Sequence, residues 1–123
     1  MTNLAPGDSA ELARNVRDAL DDGKAVDVRT LDVSAMTVIT DYMLVASGRT
    51  SRQVRALTER VLEAGRERGA ELLGLEGERG GDWVLVDFGG VIVHIMQPDA
   101  REFYQLEKLW EERAPASAAV DAG

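Results

Sequence analysis

The chain has 123 residues, formal net charge -8, one histidine and no cysteine. That length suits one domain with a single core, and the composition excludes disulfides, thiolate chemistry and multi-histidine metal sites. The acidity argues against bare nucleic acid or an anionic membrane as the main partner.

Residues 1–7 read as a flexible N-terminus. Residues 8–22 predict an amphipathic helix capped by Asp8 or Ser9. Leu12, Val16, Ala19 and Leu20 form its apolar stripe, and Gly23 stops it. Residues 26–33 predict a strand whose alternation slips. Val26 and Val28 point one way, Leu31 and Val33 the other, which requires a bulge near Arg29. The apolar run 42–47 predicts an interior strand buried on both faces. It is far too short to span a bilayer, and no basic-then-apolar leader pattern precedes it, so the expected compartment is the cytoplasm.

Thr50 and Gln53 have capping-box spacing before the stripe Val54, Leu57, Val61 and Ala64, and Gly69 ends that helix, 51–68. A strand at 71–75 follows. Strand, helix and strand in this order predict a right-handed parallel crossover. The polar loop Glu76 to Asp82 then leads into WVLVDFGGVIVHIM. Gly89-Gly90 is a hairpin turn that sets Phe88 opposite Val91, Leu85 opposite His94 and Trp83 opposite Met96. One face, Val84, Val86, Phe88, Val91, Val93 and Ile95, is core. The other carries Trp83, Leu85, Asp87, Ile92, His94 and Met96. Asp99 and Glu102 predict a capped last helix over 100–113, with Phe103, Leu106 and Trp110 on its buried stripe. The composition of 114–123 predicts a disordered tail. The whole is a single α/β domain over 8–113 in the order α-β-β-α-β-β-β-α, a mixed β-sheet flanked by helices.

Chemistry is sparsely encoded. Asp87 and His94 sit diagonally on one hairpin face, as an orienting pair for general-base catalysis does. No serine or threonine nucleophile lies near them in sequence, and a strand histidine bonded to a carboxylate is the plainer reading. Gly48 leads into a helix start with Arg49 and Arg52, an arrangement suited to an anion. It lacks a Walker lysine, and the following strand lacks the paired carboxylates of metal-dependent nucleotidyl transfer. The expectation is no enzyme, no cofactor and no metal. Residues 49–68 hold six arginines against three glutamates. A solvated helix face accounts for most of them, and a secondary contact of Arg49, Arg52 or Arg55 with RNA phosphate is a further expectation. Five of the six aromatics fall between 83 and 110. Trp83 and Tyr104 stand off the apolar stripes and are candidate protein–protein anchors, for which an acidic surround favours a basic partner.

Five segments together resemble the ribosomal silencing factor family, also called Iojap-like. They are LDVS at 31–34, ITDYMLVASG at 39–48, TSRQV at 50–54, DWVLVDFGGVIVHIM at 82–96 and REFYQLEKLW at 101–110. The resemblance spans residues 8–112. It implies a fold similar to nucleotidyltransferases without their catalytic carboxylates. It implies binding to the large ribosomal subunit through its fourteenth ribosomal protein, steric block of subunit joining, and a homodimer when free. By motif position it implies partner contacts at Trp83, Tyr104, Leu106, Glu107 and Lys108. Asp82, Glu102 and Glu107 are expected to pair with basic groups of the partner. Gly90 stands where many relatives carry an acidic turn residue.

Overall fold

The computed structural model describes residues 6–108. The expected flexible start, the end of the last helix, Trp110 and the tail lie outside them, apart from residues 6–7 of the expected start.

Eight elements follow in the expected order: α1 (Pro6–Asp22), β1 (Val26–Asp32), β2 (Tyr42–Ser47), α2 (Ser51–Glu67), β3 (Gly74–Glu76), β4 (Trp83–Asp87), β5 (Val91–Met96) and α3 (Pro98–Tyr104). The five strands form one mixed sheet in the order β1-β2-β5-β4-β3. β2 and β5 pair in parallel, and the other neighbours are antiparallel.

Helix α1 begins at Pro6, so Ser9 lies inside it and is fully buried rather than capping. Proline suits a first helical turn, where its missing N–H is not needed. Its stripe is as expected: Leu12, Val16 and Leu20 are fully buried. The left-handed residue beyond its end is Lys24 (φ 67), not Gly23. Gly23 serves a different need, because a Cβ there would lie 2.6 Å from the Leu57 side chain.

Helix α2 starts as its spacing predicts. Thr50 accepts the Gln53 backbone N–H at 3.0 Å, while Gln53 Oε1 accepts the Arg49 N–H at 2.7 Å. The Gln53 amide nitrogen also donates to the carbonyls of Gly23 and Lys24, tying this helix start to the α1–β1 turn. Val54, Leu57, Val61 and Ala64 are buried. Together α1 and α2 cover one face of the sheet, over a core that includes Leu44, Val84, Val86, Phe88, Val93 and Ile95. Burying each such side chain contributes roughly 1.5–3 kcal/mol.

The bulge falls where the alternation slips. The β1–β2 register shifts between Val26 and Arg29, and Asp27 takes φ 50. Val28 therefore joins the helix-side core, while Leu31 and Val33 join a second cluster on the opposite face. The hairpin register is also as expected, with Trp83 opposite Met96 and Leu85 opposite His94.

The strands flanking α2 run parallel in one sheet, as a crossover requires, with β5 and β4 between them. Two expectations need correction. The strand expected at 71–75 is only three residues long, Gly74–Glu76, and Leu72 and Leu73 before it are exposed. The last helix is broken as well. It starts at Pro98 after Gln97, without a side-chain cap from Asp99, and stops at Tyr104, where Gln105 is left-handed (φ 49, ψ 45).

Candidate docking surface

The face of the sheet away from α1 and α2 has only a thin cover. Leu31, Val33, Met43, Val45 and Met96 form a small buried cluster there, packed by Met36, Trp83 and Ala100. Met36 comes from the β1–β2 connection and Ala100 from α3, so these two segments cover opposite ends of β2 and β5. Between and beyond them, Trp83, Leu85, Asp87 and Ile92 stay half-buried. Large apolar side chains stand exposed on both covering segments: Val38 and Ile39 on one, Phe103 and Tyr104 on the other. Such a surface, half apolar and unroofed, is the usual signature of a protein-binding face.

Trp83 anchors its centre. Its indole N–H donates to Nδ1 of His94 at 2.9 Å. The ring also lies against Tyr104, centroids 4.7 Å apart and planes tilted 46°, and Phe103 meets Tyr104 edge-on at 4.9 Å. The result is a short aromatic ladder from the sheet out to solvent. An indole can only donate, so His94 must present an unprotonated Nδ1 and carry its proton on Nε2. His94 is buried, and desolvation lowers its pKa to about 4, which keeps the ring neutral.

The expected Asp87–His94 pair does not form. Both residues flank Leu85 on one face, but the Asp87 carboxylate accepts the Gly89 N–H at 2.8 Å within the hairpin turn. His94 takes its hydrogen bond from Trp83 instead. Among the described residues no group of three histidines, aspartates or glutamates could hold a metal ion. At Gly48 a Cβ would lie 3.0 Å from Val54, so glycine serves the close approach of the chain to α2.

A family model described as "Ribosomal silencing factor during starvation" matches residues 6–122. The chain belongs to this family. The ribosomal silencing factor RsfS of Chromobacterium violaceum is 41% identical over 108 residues, covering 88% of each chain. That of Haemophilus influenzae is 44% identical over 99 residues, 80% of this chain and 97% of the relative. A mouse protein named "Mitochondrial assembly of ribosomal large subunit protein 1" is 33% identical over 93 residues, 73% of this chain and 41% of its own length. A crystal structure of a Chromobacterium violaceum protein superimposes with TM-score 0.81 at 40% identity, covering 93% of this chain and 94% of that one.

Within this ribosomal silencing factor fold, the residues expected to face a partner are distributed unevenly. Trp83 and Tyr104 are brought into contact. Leu106 is half-buried, while Glu102 and Lys108 are exposed. Asp82 is exposed and accepts from the Gln97 amide at 3.0 Å. Glu107 is largely withdrawn: its carboxylate accepts from Arg101 Nε at 3.1 Å, with 13% of the side chain exposed. Phe103, expected in the core, is 79% exposed. The break at Gln105 rotates later residues off its stripe, so the i,i+3 relation of Phe103 to Leu106 is lost. Phe88, also expected in the core, is buried there. Trp110 lies outside the described residues. Alternation already places Leu85 and Ile92 on one hairpin face with Trp83, but nothing local assigns Val38 and Ile39 to that side of the sheet, because their adjacency depends on the strand order. Nothing local marks Arg101 either, the one buried charge of α3.

Proposed function

We propose that the protein represses translation by docking on the large ribosomal subunit, at its fourteenth ribosomal protein, and occluding the small subunit. Family membership supports the ribosomal setting, and the aromatic ladder of Trp83, Tyr104 and Phe103 on an unroofed sheet face carries the docking reading. Desolvated aromatic anchors of this kind dominate the energy of most protein interfaces. Tyr104 and Trp83 are the anchors, Leu106 extends the apolar patch, and Asp82, Glu102 and Lys108 form a charged rim that steers association. Glu107 serves this surface from within, by its bond to Arg101. Occlusion needs no chemistry, so the protein acts in the cytoplasm without a cofactor and not as an enzyme.

Arg49, Arg52 and Arg55 are exposed and make no ion pair among the described residues, whereas Arg66 and Arg68 are paired with Glu63 and Glu11. The first three supply a secondary contact to ribosomal RNA phosphates flanking the docking site. The free protein is a homodimer in this reading.

A second reading, a large-subunit assembly factor, is favoured by the name of the mouse relative. Sedimentation of purified subunits separates the two. Under the first reading saturating protein keeps the subunits apart. Normal joining in the purified system, with precursor particles accumulating in cells lacking the protein, supports the second and overturns the first.

A further inference from the structure

The short helix α3 carries two exposed aromatics and contributes little to the apolar core beyond Ala100. What fastens it is a charge. Arg101 is 6% exposed, and its guanidinium reaches four groups on three segments. Nη1 donates to the Val26 carbonyl at 3.3 Å and to Ser47 Oγ at 3.1 Å. Nη2 lies 3.2 Å from the Asp27 carboxylate, and Nε donates to Glu107 at 3.1 Å. Two of these partners depend on unusual backbone. Asp27 is the bulged residue of β1 (φ 50), and Glu107 returns toward Arg101 only because Gln105 is left-handed (φ 49). Neither is glycine, so each conformation is held by its surroundings. The bulge, the end of β2 and both sides of the break in the last helix thus converge on one guanidinium.

We propose that Arg101 is the positioning residue of the docking surface. It clamps α3 to the β1–β2 edge and fixes the turn after Tyr104, so that Tyr104 stacks on Trp83 and Leu106 and Lys108 are presented in one arrangement. This inference rests on the docking reading above. A preformed aromatic ladder avoids the ordering cost that a loose segment meets on binding, and the benefit appears mainly as slower dissociation. Lysine cannot replace the clamp, because an ammonium lacks the planar fork that donates to Val26, Ser47 and Glu107 while lying beside Asp27. Since the guanidinium is buried, salt screens it little.

The test measures backbone hydrogen exchange, the Trp83 indole N–H resonance and large-subunit affinity on the full chain. The variants are Arg101→Met, Arg101→Lys and Glu107→Gln, with Tyr104→Ala as the control for docking itself. Arg101→Met and Arg101→Lys should speed exchange across residues 98–108 by about tenfold or more while the β4–β5 hairpin keeps its protection. The indole resonance should shift as the Tyr104 stack is lost. Subunit affinity should fall by about tenfold, mostly through faster release, at low and high salt alike. Glu107→Gln should give the same pattern more weakly, and it decides the matter if Arg101 variants do not fold. Wild-type exchange at 98–108 in the variants, with Tyr104→Ala still weakening binding, overturns the clamp and leaves the docking reading standing. Faster exchange with unchanged affinity in every variant, Tyr104→Ala included, overturns the docking reading and the positioning role with it.

Discussion

Trp83 and His94 are diagonal neighbours on adjacent strands, and the indole N–H of the first is bonded to Nδ1 of the second at 2.9 Å. The bond exists only while the imidazole is neutral. It links the proposed anchor to the protonation of a buried group beside it on the same face.

Acid should therefore lower the stability of the whole fold while the Trp83–His94 bond persists in the folded chain down to about pH 4. Burial lowers the His94 pKa from 6.5 to about 4 in the folded chain. Between those values the unfolded chain binds the extra proton and the folded chain does not, so stability rises with pH. The contribution is complete above the unfolded value, declines as pH falls through the window to the folded value, and is flat below it. It amounts to on the order of 3 kcal/mol. Denaturant titrations from pH 7 to 4 should show the decline. His94→Gln, which retains an acceptor but does not titrate there, should reduce the slope; an unchanged slope would assign the decline to other groups.

Phe103 should behave as a surface residue despite its size. Phe103→Ser is expected to change stability by no more than about 0.5 kcal/mol, against the roughly 3–5 kcal/mol of a truncated core phenylalanine. Large-subunit affinity should nevertheless fall, since Phe103 backs the exposed edge of Tyr104. Thermal melts and subunit pelleting measure the two effects separately.

Tyr104→Ala should cost roughly 2 kcal/mol or more of subunit binding with little change in melting temperature, because the ring is 54% exposed. Trp83→Ala should reduce both, as it also leaves Met96 uncovered. Binding unchanged in Tyr104→Ala would remove that residue from the interface.

Gly65 should not tolerate alanine. A helix normally gains up to about 1 kcal/mol from that exchange. Here the added Cβ would sit 2.5 Å from Cε1 and Cζ of Phe88, so either the buried ring or α2 must shift. A net loss of about 1–3 kcal/mol is expected. Phe88→Leu combined with Gly65→Ala should recover part of it in a double-mutant cycle.

Local signals carried most of the fold. The Gly89-Gly90 turn fixed the hairpin register, and period-two alternation then sorted its faces. The slipped pattern around Arg29 located the bulge, and TSRQ located the start of α2. Non-local choices were not written locally. A parallel partner for β2 is available in either β3 or β5, and only the six-residue length of β5 against the three residues of β3 selects one. The site was legible in part for the same reason. Trp83 and Tyr104 stood out by type and phase, yet their contact, and the exposure of Phe103, follow from a left-handed Gln105 that no turn residue announces. His94 had two diagonal neighbours on its face. The hairpin turn claimed the carboxylate of Asp87 and left the indole.

The position of β5 bears on how this chain is made. The strand at the middle of the sheet is the last to be synthesised, and until Met96 is added β2 has no parallel partner. The earlier segments can form α1, α2 and the β1–β2 ribbon, but their apolar faces stay open while the chain grows. Completion of this sheet thus waits until β5 has been made, and a nascent chain stopped before Val91 lacks the strand that closes its core.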